Sequence, residues 1–325
     1  HLKARFFLSK KCSTTFPLDF YVQQAHDALM NLGLCCISIR LQEQGHKFQT
    51  MTYSRFSALP RQQALEILSS RILNNFLVTE KVIRYCKASG FSSYRLSSDL
   101  TPIINHPSVD VKLQDLPNAS AIFDSLSSIA NAVKETGLKV SAHPSEYISL
   151  TSPNESVISN SFRDLSSHAD LFDLIGLPRN YESPLNIHCR QDGDPKEVSD
   201  SFLKNFDKLP DNVKNRLVLE VNDNKEGTWT ISNLCRYFNQ RIGIPITFDN
   251  LHHSFCHGGL SEREAFDMAL ATWNTEPVFH YSEGVGGSRK HADYATSLPN
   301  SYGKNIFWDV ELKAKDLAIF QMLNK

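Results

Sequence analysis

The stretch RLVLEV (216–221) decides the fold. Four of its six residues are aliphatic, the run has no polar alternation, and its lone carboxylate, Glu220, comes next to last. Such a run reads as a strand buried on both faces, as a parallel sheet covered by helices requires. The same pattern recurs upstream in LGLCCISI (32–39), SSYRLS (92–97), LKVSAH (138–143) and PLNIHC (184–189). Downstream it returns in IPITFD (244–249), PVFHYS (277–282) and NIFWDVE (305–311). Segments with helical patterns near 62–88, 119–136, 155–174, 196–207, 230–241 and 261–272 separate these runs, and 313–323 completes the series. Gly90, Gly137, Gly176 and Gly243 fall where several of these helices should stop. Eight strands is the number that closes a barrel, so the expected fold is α/β, a (β/α)8 TIM barrel with an eight-stranded parallel sheet. The connection 283–304 reads as irregular. An open doubly wound sheet is the structural alternative, but no GxGxxG follows the first strand, and GVGG (284–287) comes after a late one.

Composition bounds the function without choosing it. A chain of 325 residues can bury a large core, and 41% hydrophobic with 21% charged residues excludes a disordered one. Lys and Arg number 34 against 35 Asp and Glu, so charge alone makes no case for a nucleic-acid partner. A site holding several divalent cations would supply positive charge that this count omits. Cys12, Cys35, Cys36, Cys86, Cys189, Cys235 and Cys256 form no CxxC pair, which points to reduced thiols in an intracellular, reducing compartment, with cytoplasm, nucleoid and nucleus left open. No run of about 18 apolar residues occurs, so no membrane span is expected. No organic cofactor is expected either. Lys3, Arg5, Lys10 and Lys11 precede the first acid, Asp19, and residues 1–30 read as a solvated N-terminal arm, with a targeting remnant as the alternative. Residues 31–325 read as a single barrel domain.

The chemistry is carried by position. Potential metal ligands recur at the C-terminal ends of successive strands: His143 in SAHPSEY, His188 in NIHC, Glu220 in LVLEVNDN, Asp249 in TFDNLHH, His280 in FHYSE and Glu311 in WDVELKAK. In a barrel of this kind those ends converge on one mouth, where active sites are built. His252 and His253 follow Asp249 by three and four residues, and His291 lies in the loop after the seventh strand. One strand histidine alone would most simply be a core residue. Several buried carboxylates without counter-charge would be costly, because desolvation and like-charge repulsion both oppose ionisation, and divalent metals remove that cost. Mixed histidine and carboxylate ligands suit Zn²⁺ or Mn²⁺ better than Mg²⁺. Two or three adjacent ions fit phosphoryl transfer, for which a phosphodiester is the natural anionic substrate. A metal-dependent sugar isomerase is the enzymatic competitor, although carboxylates tend to dominate its sites.

At these residues the chain resembles the UV damage endonuclease family, relatives of endonuclease IV-type apurinic endonucleases. The matching segments are RLSSDLTPIINHP (95–107), VSAHPSEYI (140–148), IHC (187–189), LVLEVNDN (217–224), FDNLHHSF (248–255), HYSEG (280–284), RKHADYA (289–295) and DVELKAKD (309–316), in family order over roughly residues 32 to 318. The resemblance implies a cluster of three divalent ions, usually Mn²⁺ with Zn²⁺ as the alternative, and incision of duplex DNA immediately 5′ to a UV photoproduct or abasic site, leaving a 3′-hydroxyl and a 5′-phosphate. It implies that His143 and His188 bind one ion, shared through Glu220 with a second. Asp249, His280 and Glu311 then complete the second, and His252 with His291 hold the third. Glu220, Glu311 and Lys313 are expected to carry catalysis. Lys315 is a further candidate for neutralising phosphate. Asp99, His106, Asn222, Asp223 and His253 are expected to orient ligands or contact DNA, and a monomer suffices for one damaged duplex.

The resemblance also marks departures. Relatives probe distorted DNA with a Gln-Tyr pair after the HP motif, where this chain has Glu146-Tyr147. Ionised Glu146 would repel phosphate, while Tyr147 can still stack or wedge. Relatives carry a Tyr and an Asn after the first strand's glycine, where Leu34 and Ser38 stand here. Bacterial relatives can place a modifiable lysine two positions before the seventh-strand histidine, where this chain has Val278, which weakens the expected third ion site. Three further functions therefore stay open: an abasic-site-only endonuclease, the sugar isomerase and a non-catalytic damaged-DNA-binding module.

Overall fold

A computed structural model describes residues 30–189 and 193–324; the expected arm over 1–30 and Cys12 lie, apart from Met30, outside the described residues. Eight parallel strands follow one another in the expected places: β1 (Asn31–Cys35), β2 (Ser93–Leu96), β3 (Lys139–Ala142), β4 (Leu185–His188), β5 (Leu217–Glu220), β6 (Ile246–Thr247), β7 (Val278–Tyr281) and β8 (Phe307–Val310). Their hydrogen-bonded order is β6-β5-β4-β3-β2-β1-β8-β7. The ring closes between β6 and β7, where the His280 N–H donates to the Phe248 carbonyl at 2.9 Å and Asp249 bridges His280 in parallel register. The fold is a (β/α)8 barrel.

The helices run where the apolar periodicity puts them, at Arg61–Ala88, Ala119–Thr136, Glu155–Leu174, Pro195–Phe206, Glu262–Leu270 and Lys315–Leu323. Gly137 ends the second of these at φ 64°, a left-handed position that suits a residue without Cβ. The segment expected as one helix over 230–241 is interrupted, with a π-helical stretch at Cys235–Asn239 between Ile231–Leu234 and Gln240–Ile242. β1 stops at Cys35 rather than continuing to residue 39, because Cys36 turns to φ 68° and the Ser38 side chain caps a short helix, Ile39–Glu43. The last helix begins at Lys315 rather than 313, just where Lys315 itself takes φ 50°.

Outward-facing strand residues make the apolar core against the helices. Phe248, Phe279 and Trp308 pack with Phe266 of the helix Glu262–Leu270 at ring separations of 5.8, 5.5 and 6.3 Å. Each such side chain contributes roughly 1.5–3 kcal/mol by leaving water. The inward-facing residues are different in kind. Asp309 is fully buried and accepts from the Ser93 hydroxyl at 3.2 Å and the Ser141 hydroxyl at 2.7 Å. Gly33 lies opposite both Ser93 and Asp309, and a Cβ on it would sit 1.8 Å from Ser93 Oγ. Glycine is therefore required there by close approach. Buried polar groups thus stand inside the barrel on β2, β3 and β8.

Candidate active site at the barrel mouth

Glu220, the residue that breaks the apolar run of β5, is the hub. Its side chain is 1% exposed and its two oxygens face four imidazoles. Glu220 Oε2 lies 3.2 Å from His143 Nε2, 3.6 Å from His188 Nε2 and 3.1 Å from His280 Nδ1, while Oε1 lies 2.9 Å from His252 Nδ1. The Asn186 side-chain amide also donates to Oε2. Strand alternation explains the gathering. Asn186 and His188 are two apart on β4, so both point inward, and His188 is in register with Glu220 on β5. The rings of His143 and His188 are 5.2 Å apart, and those of His188 and His252 are 5.4 Å apart.

Asp249 supplies the second wall. It caps the helix Asn250–Phe255 by accepting from the His252 N–H at 2.7 Å, which fixes His252 beside it. Its other oxygen, Oδ2, is buried and has no hydrogen-bond partner. An orphaned buried carboxylate oxygen is costly, and a cation among these donors would satisfy it. Donor atoms of His143, His188 and Glu220 lie within 4.8 Å of one another, as do those of Glu220, Asp249 and His252. The residues present therefore fit a divalent cluster, with Glu220 common to both groups. Geometry groups His252 with Asp249 and Glu220, whereas the resemblance paired His252 with His291.

Glu311 forms the third wall. His280 Nδ1 lies 3.4 Å from Glu311 Oε1, and the Arg95 guanidinium binds that same oxygen. His291 reaches in from the loop after β7, its Nδ1 2.7 Å from the Glu311 carbonyl and its Nε2 3.8 Å from Oε2. Glu283 anchors that loop. Its carboxylate accepts from the N–H and hydroxyl groups of both Thr296 and Ser297, all at 2.9 Å, and from the Tyr281 hydroxyl at 3.0 Å. Those donors outweigh the effect of burial and hold its pKa down at about 2.

The electrostatics follow from the crowding. Burial opposes ionisation of Glu220, but the charges of His280 and His188 and the hydrogen bonds from His143 and His252 hold its carboxyl well below the usual range. Burial likewise opposes a charged Glu311, and Arg95 and then His280 outweigh it, so Glu311 also stays low. Asp249 is raised by burial, with His252 offsetting part of the rise. Burial disfavours charged His280, yet Glu220 lifts it to about 9; His252 is lifted well above its ordinary value by Asp249 and Glu220. Imidazolium groups thus supply the counter-charge that the carboxylates need.

The eight expected ligands, His143, His188, Glu220, Asp249, His252, His280, His291 and Glu311, all line this one mouth. The supporting residues divide. Asn222 is buried and its amide donates to the Cys189 carbonyl at 3.4 Å, tying β5 to the residue after His188. Asp223 is part-exposed and faces Arg289 at 3.4 Å. His253 is 3% exposed, with its ring 5.7 Å from that of Phe248. His106 stacks on Tyr53 with ring centres 4.1 Å apart. Asp99 is exposed, and its carbonyl accepts from the Asn75 amide at 3.2 Å. Glu146 and Tyr147 are both exposed, Tyr147 at 82%. Leu34 and Ser38 are buried, and Ser38 donates to Asp316 at 2.7 Å, so neither offers a side chain to a bound duplex. Val278 is buried in β7. Lys313 is exposed, and its backbone N–H donates to the Ala292 carbonyl at 3.0 Å. Arg95, Asn186 and Asp309 were missed by sequence reasoning. A signal was available for two of them, Asn186 two before His188 and Asp309 two before Glu311, while Arg95 stands on a strand that carries no candidate ligand.

Fold and mouth together define a (β/α)8 barrel with a histidine–carboxylate cluster suited to divalent cations. The chain belongs to the UV-endonuclease UvdE family, whose profile matches residues 30–325. A UV DNA damage endonuclease of Nostoc sp. is 31% identical over 309 residues, covering 91% of this chain and 90% of its own length. One from Deinococcus radiodurans is 29% identical over 305 residues, with 91% and 95% covered. The crystal structure of SacUVDE superposes with a TM-score of 0.75 at 27% identity, over 91% of this chain and 97% of its own. The 3-keto-D-glucoside 4-epimerase YcjR of E. coli shares the fold, at a TM-score of 0.52 and 15% identity over 91% and 97% of the two chains. Among the described residues, no helix is long and apolar enough to cross a membrane.

Proposed function

We propose that residues 31–325 act as one catalytic domain, a metal-dependent endonuclease that incises damaged duplex DNA on the 5′ side of the lesion. Its products are a 3′-hydroxyl and a 5′-phosphate. The observation that carries this is the pair of three-donor groups sharing Glu220, beside an Asp249 oxygen left without a protein donor. His143, His188, Glu220, Asp249 and His252 would hold the central ions, and His280, His291 and Glu311 a third, with Mn²⁺ preferred and Zn²⁺ able to substitute. Divalent ions held there supply Lewis-acid charge to the phosphate and make a water acidic enough to attack near neutral pH. The protein's own share is positional: Glu220 and Glu311 are oriented by Asn186 and Arg95, Asn222 ties the strand ends together, and exposed Lys313, two residues past Glu311, would answer backbone charge. A monomer acting inside the cell, with no organic cofactor, meets these requirements.

Lesion range is the finer question. Tyr147 is the exposed ring suited to wedge beside an unstacked base, which damaged DNA surrenders more cheaply than intact DNA. Glu146 beside it, with Leu34 and Ser38 buried, favours a second reading in which abasic sites are cut more readily than photoproducts. The test uses three matched end-labelled duplexes carrying a photoproduct, an abasic site or no lesion, with Mn²⁺, EDTA and Glu220→Gln controls. Incision 5′ to both lesions is the expected result, cleavage of the abasic duplex alone selects the second reading, and no metal-dependent cleavage overturns both.

A further inference from the structure

The loop between β7 and His291 leaves six consecutive residues, Val285 to Lys290, exposed. They are nonetheless held in one shape. Gly284 pairs with His291 in an antiparallel bridge, the Val285 N–H donates to the Lys290 carbonyl at 2.8 Å, and the Ser288 N–H returns to the Val285 carbonyl at 3.0 Å. At the base, a Cβ on Gly284 would lie 2.2 Å from the Ser288 carbonyl oxygen, so the two sides of the loop touch. The tip turns through Gly286 and Gly287 at φ 58° and 74°. Beneath it stands the Glu283 clasp on Thr296 and Ser297, and the Lys313 N–H donates to Ala292 one residue past His291.

This tip is cationic on a chain whose formal net charge is −1. Arg289 and Lys290 project from it, no carboxylate lies within 285–290, and exposed Lys313 is on the segment paired to Ala292. Its counter-charge, Asp223, meets Arg289 at 3.4 Å with both side chains open to solvent, a geometry too loose and too wet to neutralise it. A surface pair of this kind is easily exchanged for a phosphate. Val285, at 49% exposure, adds an apolar edge at the same tip.

We infer that the 284–290 loop is a backbone clamp: Arg289 and Lys290 grip phosphates of the duplex next to the one cut, and the rigid hairpin sets that grip in register with His291. This rests on the endonuclease reading of the mouth. The occupant is a nucleic-acid duplex because the charges are cationic, lie on a short rigid rim and run directly into the candidate metal cluster. A flexible or acid-balanced loop would offer no such register.

The test is fluorescence anisotropy of Mn²⁺-loaded protein on an undamaged duplex across a potassium chloride series, alongside incision kinetics on an abasic duplex. Arg289→Ala/Lys290→Ala is compared with Lys87→Ala/Lys134→Ala, which removes the same charge from the exposed ends of two helices at the other end of the barrel. Each phosphate contact contributes about 0.9 to the slope of log affinity against log salt, so the clamp variant should lose about 1.8 while the control keeps the wild-type slope. Its KM should rise several-fold with kcat and bound Mn²⁺ unchanged. An unchanged slope, an equal loss in the control, or loss of Mn²⁺ from the clamp variant would overturn the clamp. Should wild type fail to incise while the slope difference persists, the endonuclease reading falls and the clamp stands as a duplex-binding element.

Discussion

Asp309 and Glu220 are both buried carboxylates inside the same barrel, and their surroundings differ in kind. Asp309, lower in the barrel, takes hydroxyl donors from Ser93 and Ser141. Asp316, behind β1, is satisfied in the same way by Ser38, the Ile39 N–H and Tyr85. At the mouth Glu220 is ringed by imidazoles and Asp249 keeps an oxygen with no donor. Neutral donors at fixed distances make a carboxylate structural, since its charge is already answered within the fold. Imidazoles make the mouth exchangeable, because each can give up a proton to receive a cation.

Substitutions should separate the two levels. The largest effect is expected for Glu220→Gln, which removes the charge common to both donor groups. Loss of mere outer partners of metal ligands already costs 10–100-fold, so metal affinity and incision should fall on the order of 100-fold or more while the fold persists. Isothermal titration with Mn²⁺ and end-labelled incision assays read this. A variant that keeps both would erase the distinction between mouth and floor.

Arg95→Met should act on stability instead. Its guanidinium pairs with Glu311 with both side chains nine-tenths buried or nearly so, and removing one partner of a buried pair costs about 3–5 kcal/mol. Urea unfolding of metal-free protein measures it, and added Mn²⁺ should recover part of the loss by replacing the missing charge at Glu311.

The contrast between these two residues also shows what the sequence can and cannot convey. Strands and candidate ligands were legible because both leave periodic marks: apolar runs of strand length, six of the eight with His, Asp or Glu at or near the end. Arg95 lies on a strand that ends in no candidate ligand, so nothing marked its inward face, and the packing of Asp309 near Ser93 follows only once β8 pairs with β1 and sets Gly33 between them. His253 is the opposite case. It stands next to His252 in sequence, but one helical step rotates it into the aromatic core against Phe248. The buried Ser38 hydroxyl is satisfied by Asp316, which lies 278 residues further along the chain.

Acidity should expose the same division. His280 is lifted to about 9 by Glu220 in the metal-free protein, against an ordinary value near 6.5. A raised histidine contributes stability that is complete below the unfolded value and is lost as pH climbs through the folded one. Metal-free protein should therefore lose stability between about pH 6.5 and 9. Over that window protons also compete with cations, so Mn²⁺ affinity should rise with pH and binding should release protons, measurable with an indicator dye. Proton-free uptake at pH 7 would mean the imidazoles are already neutral.

The smallest effect concerns the loop that brings in His291. Glu283 is held at about 2, below its unfolded value, so its contribution is present above about pH 4.5 and lost as pH falls toward 2. Glu283→Gln should remove that acid dependence, lower stability above about pH 4.5 by the contribution it deletes and weaken Mn²⁺ binding by no more than about 10-fold.

The contrast is tested most directly by anomalous diffraction at the Mn edge from crystals grown with Mn²⁺. Peaks should appear among His143, His188 and Glu220 and among Glu220, Asp249 and His252, with none beside Asp309. An empty mouth, or an ion bound between Ser93, Ser141 and Asp309, would contradict the assignment of one level to chemistry and the other to structure.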